Sequence, residues 1–345
     1  MLLLKVVLLW ILLLKNNCFM KWFLLICMFV ALSSCTSSSN KKVENTDNFG
    51  SKSMIPTFSA DSAYAFVKQQ CDFGSRVPGS DAHAKCKDYF IEKFQQYKAD
   101  SIIVQEGTES LYDSRKMPLY NIIASYNLEQ KNRILICAHW DSRPFSDQDS
   151  DKNNYNKAID GANDGASGVG VIIELARLLS ENEPSVGVDL VLFDLEDYGV
   201  PEGEESNLDN GGWTLGSKYW KDNYVLPSVK PKYGILLDMV GAPNATFYRE
   251  YLSDRYSAWV VNKIWSVAEK CGYANVFVNK QGGAVTDDHI NVYQAGIPCV
   301  DIIHFEPSSE HGFGFYWHTQ NDNINNISAT TLGIVGDVLV HLIFE

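Results

Sequence analysis

Hydrophobic and polar residues alternate along the chain in a pattern typical of an α/β protein. Several apolar runs are short and nearly continuous, as expected for strands buried on both faces of a sheet. The predicted strands span 102–104, 119–126, 134–138, 188–194, 233–237 and 300–303, and the predicted helices span 59–70, 81–97, 166–179, 256–270 and 329–343. This alternation predicts a three-layer α/β sandwich with a central mixed, mostly parallel sheet and helices on both faces.

The N-terminal residues 1–34 have the pattern of a secretory signal peptide. Apolar runs span 2–14 and 22–32, and each is shorter than the about 20 residues that a membrane-spanning helix needs. A basic start at Met20 precedes the second run, so Met20 is a candidate true start. Leu-Ser-Ser-Cys35 follows that run and resembles a bacterial lipobox, in which the Cys becomes the lipidated first residue. We expect an exported lipoprotein, anchored to a membrane at Cys35 and facing the periplasm or the cell exterior; an uncleaved N-terminal anchor is the alternative.

Composition divides the rest of the chain into a tether and one acidic globular domain. Residues 35–55 are rich in Ser, Asn, Lys and Thr and lack apolar periodicity, which is typical of a flexible tether. The compact domain is predicted to span residues 56–345. The 345-residue chain has 29 Lys and Arg against 42 Asp and Glu, a net charge of −13. No basic patch offsets this charge, which argues against nucleic acid as a partner.

The predicted domain has five cysteines, an odd number that leaves at least one thiol unpaired. Cys71 and Cys86 flank a Gly/Pro loop. Because exported proteins can form disulfides, the sequence is compatible with a disulfide between these two cysteines and equally with free thiols. Cys137 and Cys299 lie in strand-like apolar runs and are predicted to be small core residues. The absence of a Cys-x-x-Cys pair in the sequence gives no indication of a thiolate zinc site.

Acidic residues and histidines follow three of the predicted strands. His139 and Asp141 follow the third, Glu196 and Asp197 follow the fourth, and Asp238 follows the fifth. Ligands of open α/β sheets bind beyond the carboxyl ends of the strands. The coincidence of three such strand ends therefore predicts a site for metal binding or proton transfer.

Two loops add polar residues to this set. Asp164 lies in a Gly-rich loop just before the helix predicted at 166–179, where capping that helix is its alternative role. The glycines of this loop match neither a dinucleotide nor a P-loop fingerprint, because no strand directly precedes them and no Lys-Ser/Thr follows. The second loop, after the last predicted strand, contains Trp317 and His318.

These segments together resemble the zinc-dependent peptidase family M28, and within it the glutaminyl cyclase branch. The motifs shared with the family are His139-x-Asp141, Asn163-Asp164-Gly-Ala-Ser-Gly, Glu196-Asp197, Asp238 and His318-Thr-x-x-Asp322. The motifs that resemble the cyclase branch are Leu236-Leu-Asp238-Met-Val-Gly-Ala-Pro, Asp287-Asp-His-Ile and Trp317-His318. The Glu-Asp pair is similar to that of bacterial glutaminyl cyclases of mammalian type. The resemblance covers the chain from about residue 59 to the C-terminus.

The resemblance implies one Zn²⁺ ion held by Asp164, Asp197 and His318, with a fourth position open to substrate. The histidine matching His139 is a ligand in two-zinc members of the family, so the resemblance is also compatible with a second zinc ion. In one-zinc cyclases it is present without a metal, and we expect His139 and Trp317 to line the substrate site here. Trp317 would then be an aromatic wall rather than a plain core residue.

The resemblance further implies a glutaminyl-peptide cyclotransferase, which converts the N-terminal Gln of peptides or proteins to pyroglutamate and releases ammonia. Glu196 would carry the proton, in a hydrogen-bond network with Asp238 and Asp287. An M28 zinc aminopeptidase is the first alternative, against which Asp287 and Trp317 speak. A non-catalytic peptidase-like binding lipoprotein is the second, and the complete set of ligands speaks against it. We expect peptides or proteins with N-terminal Gln as partners, and a monomer.

The remaining polar residues receive supporting or structural roles. Asp141 and His289 are expected to orient neighbouring groups rather than to bind the metal. The spacing of four other histidines indicates no chemistry, and we predict them at the surface or at helix ends. They are His83, His304, His311 and His341.

Overall fold

The computed structural model describes residues 55–345. The predicted signal peptide, the lipobox and the tether up to residue 54 lie outside the described residues. The strands are β1 (Ser101–Ser110), β2 (Lys116–Tyr126), β3 (Arg133–His139), β4 (Gly187–Phe193), β5 (Tyr233–Asp238), β6 (Phe247–Arg249), β7 (Phe277–Gln281) and β8 (Cys299–Ile303). The helices are α1 (Ala60–Asp72), α2 (Asp81–Gln96), α3 (Ala166–Glu181), α4 (Leu215–Asp222), α5 (Tyr251–Lys270), α6 (Asp288–Gln294) and α7 (Ala329–Phe344). Within the described residues, no helix combines the length and the hydropathy needed to cross a bilayer.

Six strands form the central sheet in the order β1-β2-β4-β3-β5-β8. The β1/β2 and β2/β4 pairs are antiparallel, whereas the β4/β3, β3/β5 and β5/β8 pairs are parallel. A separate two-stranded parallel sheet joins β6 to β7. The predicted mixed, mostly parallel sheet is confirmed.

Every residue of β3, β4, β5 and β8 is buried, because helices cover both faces of the sheet. Ile134 and Ile136 of β3 belong to the larger core, with residues of α1, α2, α3, α5 and α7. Leu135 and Cys137 point to the other face and pack in a smaller core with α4 and α6. This alternation along one strand confirms the three layers. The parallel strands β4, β3 and β5 are neighbours, so their carboxyl ends lie side by side at one edge.

The structure extends most predicted elements by a few residues and adds short ones. Helix α5 begins at Tyr251 instead of residue 256, and its backbone is non-helical at Ser257 (φ −137°), so the apolar periodicity is in register only beyond this kink. Helices α4 and α6 and strands β6 and β7 were not predicted. Each has eight residues or fewer, too few for a periodic pattern to stand out.

The five cysteines of residues 55–345 are all free thiols. No disulfide therefore joins Cys71 to Cys86, and burial raises the pKa of each of these thiols to about 12. Cys137 and Cys299 are fully buried in the smaller core, which confirms their predicted packing role. The domain depends on its hydrophobic layers rather than on a cross-link.

Candidate active site

The three strand ends predicted from the sequence meet at one edge of the sheet. His139 is the last residue of β3, and Asp238 is the last residue of β5. The Nε2 atom of His139 lies 3.3 Å from Oδ1 of Asp238 and 3.0 Å from Oδ1 of Asp164. Glu196 and Asp197 follow β4, which is the neighbour of β3 on the side away from β5.

Asp164 is held by the loop that enters α3, not by a capping interaction. The residue that caps α3 is Gly165, which makes no side-chain hydrogen bond to the helix. Gly165 has φ +93°, and a Cβ atom there would lie 2.7 Å from the carbonyl oxygen of Asp141, so a side chain would clash. Asp322 accepts hydrogen bonds from the backbone N–H of Asn163 (2.7 Å) and of Asp164 (3.0 Å). The capping alternative for Asp164 is therefore wrong.

The turn after β4 directs Glu196 and Asp197 towards the site. Asp141 accepts hydrogen bonds from the backbone N–H groups of both residues, each at 3.1 Å, which confirms the predicted orienting role of Asp141. Leu195, directly before the pair, has φ +52°. A non-glycine residue with this backbone conformation is strained and needs such surrounding bonds to persist.

His318 completes the group from the loop that follows β8. Its ring lies between two indoles, with the Trp317 centroid at 4.0 Å and the Trp213 centroid at 5.9 Å. The Nε2 atom lies 3.3 Å from Asp197 Oδ1 and 3.6 Å from Asp164 Oδ2. His318 has φ +52°, so the position of its ring also depends on a strained backbone.

Asp164, Asp197 and His318 form a cluster whose ligand atoms all lie within 4.8 Å of one another. Both carboxylate oxygens of Asp197 are buried without a hydrogen-bond partner. Burial and the repulsion of Asp164 raise the pKa of Asp197 well above its ordinary value. Burial and the neighbouring Arg143 lower the pKa of His318 to about 3, so its imidazole is neutral and can act as a ligand. Unpaired carboxylate oxygens beside a neutral imidazole fit a zinc ion, which would neutralise the repulsion.

A second cluster, His139, Asp164 and Asp238, shares Asp164 with the first. Its ligand atoms also lie within 4.8 Å of one another. The His139 nitrogen that would bind a metal already lies within hydrogen-bonding distance of both carboxylates. The structure thus offers two overlapping donor sets, of which the one without His139 has unpaired oxygen atoms.

Three more carboxyl groups share a cavity of about 260 Å³ with the first cluster. Burial and the charge of Asp287 raise the pKa of Glu196 well above its ordinary value. Burial, together with the nearby Asp238, raises the pKa of Asp287 to about 7. Burial also raises the pKa of Asp238 to about 6, against the opposing hydrogen bond from His139. The cavity therefore holds groups that exchange protons near neutral pH.

Trp317 lines the same cavity, as the sequence predicts, but His139 does not. The His139 ring is 1% exposed and lies behind Asp164 and Asp238. Its position at the end of the fully buried strand β3 explains the difference. His139 contacts the acidic residues of the site rather than the cavity in front of them.

Comparison with known proteins agrees with this geometry. The model of peptidase family M28 matches residues 121–343, which include the second half of β2, all of β3 to β8 and both donor clusters. The chain belongs to peptidase family M28.

Several known proteins and solved structures are similar to this chain over long segments. A glutaminyl cyclase structure from Tannerella forsythia is 46% identical (TM-score 0.81), covering 84% of this chain and 99% of that one. A Zn-dependent exopeptidase structure from Parabacteroides distasonis is 44% identical (TM-score 0.81), covering 84% and 98%. The Bos taurus glutaminyl-peptide cyclotransferase is 24% identical over 78% of each chain. Aminopeptidase YwaD of Bacillus subtilis is 28% identical over 64% of this chain, but the match spans only 42% of YwaD.

Sequence reasoning missed two residues that support this M28 site. Arg143 is buried, pairs with Asp147 through Nη2 at 2.6 Å, and donates a hydrogen bond to the backbone oxygen of Asp197 (3.1 Å). Its guanidinium group also lies 4.6 Å from the ring centroid of Trp213, the second indole beside His318. The one available signal was the isolated Trp213 after two glycines, and it does not reveal where the loop folds.

Two of the four histidines predicted at the surface or at helix ends are buried. His304 lies under the loop that leads to His318 and bonds to the hydroxyl group of Tyr316. His83 lies under the site, where its Nε2 is 2.9 Å from Oδ1 of Asp194 and its ring stacks on Trp140 at 4.2 Å. His83 lies in the first turn of α2, at a helix end as predicted, although it is buried. The prediction for His304 was wrong, because this histidine directly follows the buried strand β8 and is covered by the loop that carries Tyr316.

Asp194 anchors the strained turn that carries Glu196, and its removal should destabilise the domain. In Asp194→Ala, the ring Nε2 of His83 and the backbone N–H groups of Tyr120 and Leu195 lose the carboxylate that they contact. We expect the free energy of unfolding to fall by about 3 kcal/mol, because buried polar groups are left unpaired. Chemical denaturation of the purified domain measures this loss.

Asp88→Ala is the matched control, because Asp88 is an exposed aspartate of α2, the helix that carries His83. It should change the free energy of unfolding by less than about 0.5 kcal/mol. Equal stability of the Asp194→Ala variant and the wild type would show that Asp194 does not anchor the turn.

Proposed function

We propose that this M28 protein is a glutaminyl-peptide cyclotransferase, which closes the N-terminal Gln of peptides or proteins to pyroglutamate and releases ammonia. One observation carries the proposal: Glu196, Asp238 and Asp287 share one small cavity beside a donor cluster that fits zinc. Such acids can hold an α-amine and move its proton. The 46% identity to the Tannerella forsythia glutaminyl cyclase supports the same activity.

We propose that Asp164, Asp197 and His318 hold one Zn²⁺ ion. This set is favoured because the oxygens of Asp197 have no hydrogen-bond partner and the lowered pKa of His318 keeps its imidazole neutral, whereas hydrogen bonds to the neighbouring aspartates raise the pKa of His139 well above its ordinary value. When bound, zinc supplies Lewis-acid polarisation of the γ-carboxamide carbonyl group of the substrate. His139 then positions the two carboxylates that it contacts.

Glu196 is the proton carrier of the proposed reaction. The α-amine nitrogen forms a bond to the γ-carbonyl carbon and loses one proton to Glu196. The bond from that carbon to the amide nitrogen then breaks, and Glu196 returns the proton to the leaving ammonia. The raised pKa of Glu196 makes its carboxylate a stronger base for the first transfer. Asp287 helps to maintain that pKa, and Asp238 and Asp287 bind the amine.

The cavity excludes the competing reaction with water by its size and its walls. Its volume of about 260 Å³ is small for a ligand pocket, and Trp213 and Trp317 line it beside His318. The attacking amine belongs to the substrate itself, so correct placement supplies a high effective concentration of the nucleophile.

An M28 aminopeptidase is the second candidate function. The overlapping donor set of His139, Asp164 and Asp238 favours it, because a second ion there would give a two-metal site. The similarity to the Parabacteroides distasonis exopeptidase also agrees with it. An aminopeptidase would need to admit and activate water, and Asp287 would have no evident role. A non-catalytic binding protein is disfavoured, since all proposed ligands converge.

The two enzymes differ in their products from a matched pair of peptides. The purified domain with zinc should convert Gln-Phe-Ala to a product lighter by one ammonia, and should leave Ala-Phe-Ala intact. Alanine offers no γ-amide for its amine to attack. Mass spectrometry and an ammonia assay measure both outcomes, and a chelator should abolish the conversion. Release of free Gln and free Ala at comparable rates would establish the aminopeptidase instead.

Two variants should separate proton transfer from metal binding. Glu196→Gln keeps the shape of the side chain but cannot accept the proton, so kcat/KM should fall by about 10²–10⁴-fold while zinc content stays at the wild-type level. His318→Ala should lose zinc and activity together, because one of three protein ligands is gone. Zinc analysis and kinetics on Gln-Phe-Ala measure both. Near-normal turnover in the first variant, or full zinc content in the second, would contradict the proposed roles.

We further propose that the enzyme is exported and anchored through a lipid on Cys35. The Leu-Ser-Ser-Cys sequence after an apolar run supports this proposal. The full chain, expressed in a bacterium with radioactive palmitate, should become labelled and fractionate with membranes. Cys35→Ser should abolish the label, and Cys27→Ser, within the apolar run, should not. Unlabelled wild-type protein would rule out the anchor.

A further inference from the structure

A larger cavity of about 680 Å³ adjoins the small catalytic cavity, and Phe313 and Trp317 line both. Their ring centroids are 4.8 Å apart, so the two side chains form a common aromatic wall. The backbone is continuous between the cavities as well, since Ile303 lines the small one and His304 the large one. No role in ring closure falls to this larger cavity.

We propose that the larger cavity binds the two residues that follow the N-terminal Gln of the substrate, and that it favours basic and aromatic side chains over acidic ones. We call it the downstream groove and define it by Glu306, Phe313, Phe315 and Trp317. The proposal rests on the proposed cyclotransferase function. The small cavity has room for one terminal residue, so the rest of a peptide must leave it past its walls, and the shared aromatic wall leads into the groove.

The groove offers an exposed aromatic surface. Phe315 is 70% exposed, the highest value among the large hydrophobic side chains of residues 55–345 that are exposed. It lies in the groove next to Gly314. Because Gly314 has no side chain, the ring of Tyr316 packs directly against the backbone at this position. An exposed ring at the rim of a cavity gains contact area when an aromatic or long aliphatic side chain packs on it.

The charge of the groove is negative. Glu306 is the one acidic residue among the groove-lining residues, and no Lys or Arg lines it. Ser308 donates hydrogen bonds from its hydroxyl and its backbone N–H to one carboxylate oxygen of Glu306, which lowers the pKa of Glu306 and leaves the other oxygen free. His304, the buried histidine of the lining, is engaged by the hydroxyl group of Tyr316. A Lys or Arg of the substrate can pack its aliphatic stem on Phe315 and place its charge at Glu306.

Kinetics on peptides that differ in one residue test this preference. The zinc-loaded enzyme is supplied with Gln-Arg-Ala, Gln-Glu-Ala and glutamine amide, of which the last has nothing to place in the groove. Relative to glutamine amide, kcat/KM should be highest for Gln-Arg-Ala and lowest for Gln-Glu-Ala. In Glu306→Gln the ratio between the two tripeptides should fall by about threefold, as expected for a partly exposed charge pair. Glu310→Gln, an exposed glutamate of the same loop outside the groove, should leave the ratio unchanged.

A second variant tests the aromatic surface. In Phe315→Ala, kcat/KM for Gln-Phe-Ala relative to glutamine amide should fall by about fivefold, in the range of aromatic contacts. Trp259→Ala removes a 51% exposed aromatic residue of α5 that does not line the groove, and should leave this ratio unchanged. Ratios that stay constant in both Glu306→Gln and Phe315→Ala would overturn the groove.

Binding of peptides that cannot cyclise separates the groove from the proposed function. Asn-Arg-Phe and Asn-Glu-Phe have no γ-amide at the distance needed for a five-membered ring, and calorimetry measures their affinities without turnover. Tighter binding of Asn-Arg-Phe, with the difference reduced in Glu306→Gln, supports the groove even if no Gln peptide is converted. Conversion of glutamine amide together with equal binding of both Asn peptides would retain the cyclotransferase and reject the groove.

Discussion

The main physical constraint on the structure is the burial of several carboxylates at one edge of the sheet, which is energetically unfavourable. Four carboxylates are at most 8% exposed, and the oxygens of Asp197 have no hydrogen-bond partner; the four are Asp164, Asp197, Asp238 and Asp287. Charges of one sign in a dry cavity repel one another, so either protons or a cation must reduce their charge. Two features of the site can reduce this negative charge. One donor cluster fits a zinc ion, and the adjoining acids hold protons because their pKa values are raised. Metal binding and proton transfer thus have a common physical origin.

Keeping these groups together requires strained backbone that the surrounding bonds stabilise. Leu195, Met239 and His318 have positive φ values, and each is part of the site or adjoins one of its residues. Such conformations cost roughly 1–3 kcal/mol each unless the surroundings favour them. Asp141 provides this support beside Leu195 by accepting hydrogen bonds from the backbone N–H groups of Glu196 and Asp197, and Asp322 holds the loop of Asn163 and Asp164 in the same way. These supporting aspartates are therefore as necessary to the geometry as the residues that face the cavity.

Much of this arrangement could be predicted from the sequence, because the acidic residues and histidines of the site lie at or directly after the ends of strands. Buried apolar runs identified the strands, and the acids directly after them had to meet once three parallel strands became neighbours. The partners that come from irregular loops could not be predicted. Trp213 lies beside His318 through a short Gly-rich loop, and His83 reaches Asp194 across 111 residues of chain. No periodic pattern records such contacts, since they depend on tertiary packing alone.

The same reasoning explains how an M28 domain can favour ring closure over hydrolysis. Both reactions need a polarised carbonyl group and a nearby base, and the donor cluster with Glu196 offers both. What differs is the nucleophile. A cavity of about 260 Å³ walled by Trp213 and Trp317 leaves little room for water once a glutamine side chain occupies it. In the proposed reaction, Asp238 and Asp287 would hold the α-amine close to the carbonyl carbon of the γ-carboxamide, where its high effective concentration outweighs that of any water molecule that still enters.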